Sequence, residues 1–222
     1  MGVLFVNGTT LEYDPEIEFK YQEYLAYIDE HRKNVVSAFI KEFATRDFVI
    51  PPELGITQDE WENAIKRVGV DILDHDKSKY EDDEFYAYRR KHHPTSLENN
   101  ERDENILEKV DNDYEIAWEH HYKHNYHHPE FWRFVTLEPD GTIIHQENRL
   151  DVATPMPLYA IIHMISDWQG MFYKYPEGGQ SCVDWYNRDS HSERMSMNPA
   201  TLELVNKLLE FIFNQKVLVK EE

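Results

Sequence analysis

Asp167 is the only formally charged residue between Met156 and Tyr173, in a segment that is apolar nearly all round. Burying an ionised carboxylate without a partner costs many kcal/mol, so the position calls for a cation: a metal ion, or the side chain of an Arg or Lys. His75-Asp76 offers an imidazole and a carboxylate from adjacent residues, a mixed nitrogen and oxygen set that divalent metals accept. His31 fills the gap in the apolar series Ile17, Tyr21, Tyr24, Ile28, Val35 and Phe39, which places a third imidazole on the buried stripe of a helix. Further on, His120, His121, His124, His127 and His128 hold five of the chain's 12 histidines. His121 and His124 are one helical turn apart and could reach one ion, although a solvated helix end would also tolerate them.

The order His31…His75-Asp76…Asp167 resembles the defining pattern of the HD superfamily, helical metal-dependent phosphohydrolases in which two His and two Asp hold a metal ion. His75-Asp76-Lys77-Ser78-Lys79 also resembles the His-Asp-x-x-Lys form of that motif. Together with AWEHHYKHNYHHPEFW and MISDWQGM, it is similar to an uncharacterised HD-like family of phages and bacteria. The resemblance spans residues 24–173. It implies an ion held by His31, His75, Asp76 and Asp167, and a second held by His121 and His128 with Asp76 bridging. It also implies that Lys79 sits near a substrate phosphate, which Arg89 or Arg90 could assist.

The implied activity is hydrolysis of a nucleotide or another small phosphoester by a metal-activated water, with Asp76 and Lys79 in the catalytic machinery. Histidine and carboxylate do not discriminate Mn, Fe, Zn, Mg, Co or Ni, nor one ion from two. Nearly the same ligand order serves di-iron oxygenases of the superfamily, and a metal could also be purely structural in a non-catalytic interaction protein. The chain lacks a Gly-Tyr-Pro signature, which speaks against cyclic-di-GMP hydrolysis. His92, His93, His145, His163 and His191 match no motif and read as structural or exposed.

Positioning these residues requires helices. Val3–Val6 and Thr9–Tyr13 flank Asn7-Gly8, a two-residue hairpin signal, so residues 1–13 read as a small hairpin. Asp14-Pro15 then caps a long helix. Thr57 with Glu60 forms a capping box for a helix whose stripe (Trp61, Ile65, Val68, Ile72) runs down to a close at His75-Asp76. Ser78 with Glu81 caps the next helix. After the polar stretch 96–105, Leu107, Val110, Tyr114, Ala117 or Trp118, His121 and His124 trace another stripe, ended by Pro129. A second hairpin turns at Pro139-Asp140-Gly141, Pro157 opens the helix carrying Asp167, and Asn198-Pro199 opens a last helix. The expectation is an all-α, HD-like bundle with two small hairpins. It forms one domain over 1–222, with a metal-site core at 14–175 and a C-terminal helix at 198–215.

Charge narrows the partners. With 23 Lys+Arg against 43 Asp+Glu, the formal charge of −20 repels nucleic-acid backbones and anionic membranes, so direct polynucleotide binding is not expected. A small anionic substrate such as a nucleotide would need metal ions or a local Lys and Arg patch. The start lacks a basic region followed by a long apolar run, and no apolar run approaches a bilayer span, which together predict a cytoplasmic, membrane-free protein. The single Cys182 excludes an internal disulfide framework and reads as an inert thiol.

Overall fold

Proline at position 15, with its fixed φ, opens the longest helix, α1 (Pro15–Phe39). Tyr24, Ile28, His31, Val35 and Phe39 form its buried stripe, and a π-helical turn at Ile40–Ala44 ends it. A computed structural model of the protein describes residues 3–6, 9–12, 15–99, 104–175, 181–189, 194 and 196–218. Asn7, Gly8 and the expected cap Asp14 lie outside them. Strands β1 (Val3–Val6) and β2 (Thr9–Glu12) nevertheless pair antiparallel with Val6 opposite Thr9, as a two-residue hairpin requires.

The capping box forms as expected. Thr57 Oγ1 accepts from the Glu60 amide at 3.2 Å, and Glu60 Oε2 accepts from the Thr57 amide at 2.7 Å. It starts α2 (Gln58–Asp71), which buries Trp61, Ala64 and Val68. The end of this helix differs from expectation. α2 stops at Asp71, a 3₁₀ turn covers Ile72–Asp74, and the His75-Asp76 doublet lies beyond the helix. His75 is extended at ψ 130°, and Asp76 is left-handed at φ 52°. An aspartate tolerates that region better than most residues, but it is uncommon outside glycine and recurs at functional sites.

Ser78 does not cap α3 (Asp82–His92); it lies in a 3₁₀ turn at Lys77–Tyr80, and Glu81 occupies the cap position without a side-chain bond. Asp82, Asp83 and Glu84 in the first turn supply favourable charge at the helix N-terminus instead. α4 (Glu104–His124) ends before Pro129, which begins a 3₁₀ turn at Pro129–Arg133. Strands β3 (Val135–Leu137) and β4 (Ile143–His145) form the second hairpin; Gly141 takes φ 87° in its turn, and Asp140 Oδ1 accepts from the Thr142 amide at 2.9 Å. α5 (Leu158–Lys174), α6 (Cys182–Asp189) and α7 (Pro199–Phe213) complete the order, with Asn198 Oδ1 capping α7 through the Ala200 amide at 2.9 Å.

The fold is therefore all-α with two small hairpins. No described helix is long and apolar enough to cross a membrane. The chain divides into two compact units. The first comprises residues 1–30 and 77–121, and its core gathers Tyr24, Ile28, Phe85, Ala87, Tyr88 and Ala117. The second comprises residues 31–76 and 122–222, and its larger core is built on Val35, Trp61, Val68, Trp132, Ile161, Ile165 and Leu208.

One close approach sets the geometry of the second unit. A Cβ at Gly170 of α5 would lie 2.8 Å from the backbone N and Cα of Val35 on α1, so only glycine lets the two helices come this near. Val35 follows His31 by four residues and Gly170 follows Asp167 by three, so the crossing fixes the faces that carry both. Gly170→Ala should lower stability by about 1–3 kcal/mol, the usual cost of overpacking, despite alanine's better helix propensity. Chemical denaturation checks it; an unchanged or raised midpoint would show that the crossing has slack.

Candidate metal centre

Four donor atoms converge in the second unit. His31 Nε2 lies 3.0 Å from His75 Nε2, 3.4 Å from Asp76 Oδ2 and 3.2 Å from Asp167 Oδ1. His75 Nε2 lies 3.4 Å from Asp76 Oδ2 and 3.6 Å from Asp167 Oδ1. Ligand atoms held about 2.1 Å from an ion stand roughly 3.0 Å apart at adjacent octahedral positions and roughly 3.4 Å apart in a tetrahedron. His31, His75 and Asp167 thus have the spacing of a coordination shell, and Asp76 Oδ2 stands at a similar distance from both imidazoles. The sequence alternative for Asp167 is a Lys or Arg partner; among the described residues it meets instead the imidazoles of His31 and His75.

A second cluster shares a residue with the first. Asp76 turns Oδ2 to His31 and His75 and Oδ1 to His127, whose Nε2 is 3.4 Å away. Donor atoms of Asp76, His127 and His128 all lie within 4.8 Å of one another. The left-handed backbone of Asp76 lets one carboxylate face both groups. Buried His/Asp clusters that could hold a metal ion are therefore present, and His127, left open among the five middle histidines, is buried beside Asp76.

Other sequence candidates fall in the first unit. His121 is buried there with Nδ1 2.8 Å from Glu84 Oε2, while His120 Nδ1 is 2.8 Å from Oε1 of the same carboxylate. Lys79 places its ammonium 5.6 Å from the centre of the Tyr88 ring. Arg89 is clamped to Glu98 at 2.5 and 2.7 Å, and Arg90 meets Asp113 at 2.6 Å. His124 is exposed at the end of α4, and His191 lies outside the described residues. His163 is the residue sequence reasoning missed: it is buried, with Nε2 3.1 Å from His75 Nδ1. Its position one turn before Asp167 on α5 was the available signal.

The electrostatics favour neutral His75 and His163 beside an ionised Asp167. Burial drives His75 well below the ordinary histidine range, and the neighbouring His127, His31 and His163 add to the shift against the opposing pull of Asp76. Burial, with His127, likewise holds His163 down at about 3. For Asp167, burial acts upward, but the hydrogen bond and charge of His31 win and hold the carboxyl at about 2. Deprotonated carboxylates and neutral imidazoles are the protonation states metal ligation needs.

The chain belongs to DUF5662. The model of that family, described as a family of unknown function, matches residues 20–211, a span that contains every residue of both clusters and leaves out the N-terminal hairpin. No curated protein and no solved structure matches this DUF5662 chain.

Two outcomes follow from these charges. Chelation should lower the melting temperature of metal-loaded protein. Asp167→Asn should cost metal-free protein modest stability, because His31 already favours the ionised carboxyl there, and should shrink the response to added Mn, Fe or Zn. Strong destabilisation of the variant with and without metal would mean that the carboxylate is structural.

In metal-free protein, His75 and His163 stay neutral in the folded state while unfolded histidine takes up protons below about 6.5. The unfolded chain then binds more protons, so stability should fall as pH drops from about 6.5 toward 3. Melting curves across that range check it, and a flat profile would contradict the buried neutral pair.

Proposed function

We propose that this protein is a metal-dependent phosphohydrolase of HD type that acts on a nucleotide or another small phosphoester. The observation that carries this reading is the convergence of His31, His75, Asp76 and Asp167 at 3.0 to 3.6 Å, in the chain order of the HD pattern. Two neutral imidazoles and two carboxylates balance the charge of one divalent cation. A divalent ion held there supplies Lewis acidity and brings a bound water's pKa toward neutrality.

The chain's own residues supply the rest. Asp76, with its second oxygen toward His127, extends the donor set toward His128 and a second ion. The net charge of −20 disfavours anions at long range, so a phosphate must be received by local cations. Arg89 and Arg90 are engaged by Glu98 and Asp113, and the likeness of His75-Asp76-Lys77-Ser78-Lys79 to the His-Asp-x-x-Lys motif assigns the phosphate to Lys79.

The test is elemental analysis of purified protein followed by a phosphoester screen with that metal. Asp76→Asn, chosen because asparagine tolerates φ 52° where alanine would add about 1 kcal/mol of strain, should lower metal content and hydrolysis together. Lys79→Ala should keep the metal and lower kcat/KM. Unchanged metal content in Asp76→Asn would remove the site; iron as the native metal with no phosphoester hydrolysis would overturn the reaction.

A further inference from the structure

His75 is buried on both sides of its ring, and only one side faces the four-donor cluster. Its Nε2 joins His31, Asp76 and Asp167, while its Nδ1 lies 3.1 Å from His163 Nε2. His163 Nδ1 is in turn 3.1 Å from the Tyr126 hydroxyl, which donates to Asp71 Oδ2 at 3.0 Å. Arg67 Nε stands 3.7 Å from that same Asp71 oxygen. Val70, Asp71, Tyr126, His127 and His163 line one side of a cleft of about 320 Å³ that His75 also borders.

Only one assignment of protons satisfies this chain from end to end when His75 Nε2 is a donor to metal. His75 must then carry its proton on Nδ1 and give it to His163 Nε2. His163 therefore carries its own proton on Nδ1 and gives it to Tyr126, which gives its proton to Asp71. Burial and the adjacent Asp71 push the Tyr126 phenol upward, so it remains a donor. Each group has one role, and the chain ends on an anion beside an arginine.

We infer that His163, backed by Tyr126 and Asp71, is a positioning residue that locks His75 in the tautomer and ring orientation needed to ligate metal through Nε2. The inference rests on the metal centre proposed above. Outer partners of ligating histidines act this way, fixing the tautomer and raising ligand basicity. Ligation of a separate ion by His75 Nδ1 and His163 is the competing arrangement. It would strip His75 of both ring protons, because Nε2 already faces the first cluster.

Cobalt(II) titration of the full chain, followed by its visible d–d bands, tests the inference without a substrate. His163→Leu should bind Co(II) about 10–100-fold more weakly, with altered bands, at unchanged helical content. His163→Gln can place its amide oxygen near the lost Nε2 and should restore affinity and spectrum. Tyr126→Phe keeps the volume and should weaken binding to a smaller extent; it serves as the readout should His163→Leu fold poorly. Wild-type affinity in both His163→Leu and Tyr126→Phe would overturn the inference, and so would a loss of one whole ion at saturation in His163→Leu. Failure of the wild type to bind Co(II) at all is a different result, which would overturn the metal centre itself.

Discussion

Two carboxylates, Asp76 and Asp167, converge on the Nε2 atoms of His31 and His75 inside the second unit. Carboxylates gathered on the same pair of buried imidazoles are costly to keep ionised in a low-dielectric interior unless something positive neutralises them. Protons on the imidazoles answer the demand in part, and His31 does so for Asp167. A divalent cation answers it fully while accepting the nitrogen lone pairs. The rest of the second unit can be understood as the scaffold that holds this costly arrangement together.

Helix α5 does most of that holding. It is buried along nearly its whole length, and it presents His163, Asp167 and Gly170 at spacings of four and three, so all three lie on one face. Gly170 gives up side-chain packing to let α1 approach, and the approach brings His31 within 3.2 Å of Asp167. Small cost in helix propensity is exchanged for short donor distances. The opposite wall comes from the end of α2, where a regular helix would have carried His75 and Asp76 onward at 100° per residue. The 3₁₀ turn and the left-handed Asp76 instead aim both side chains inward.

The first unit carries a different chemistry. Glu84 is fully buried there and holds His120 and His121 through its two oxygens, while the cations Arg89 and Arg90 are committed to carboxylates of the same unit. The ammonium of Lys79 lies 5.6 Å from the centre of the Tyr88 ring in the same unit.

Much of this was legible in the residues alone. Helix starts were, because caps are local: Thr57 with Glu60, Asn198 with Pro199 and the Asp140-Gly141 turn all form where their side-chain chemistry dictates. The candidate donors His31, His75, Asp76 and Asp167 were also legible, since a lone charge in an apolar helix and a histidine on an apolar stripe are one-dimensional anomalies. What the sequence left undetermined depends on distance between segments. His163 reads as an ordinary core histidine until His75 Nδ1 is found 3.1 Å away. Glycine at 170 looks like a weak point in a helix until Val35 is seen against it. That His127 is buried against Asp76 and His121 against Glu84 is likewise a matter of distance between segments. Local propensity fixes which elements form, whereas which donors meet is decided by tertiary packing, through a close helix crossing and a left-handed residue whose consequences no local pattern encodes.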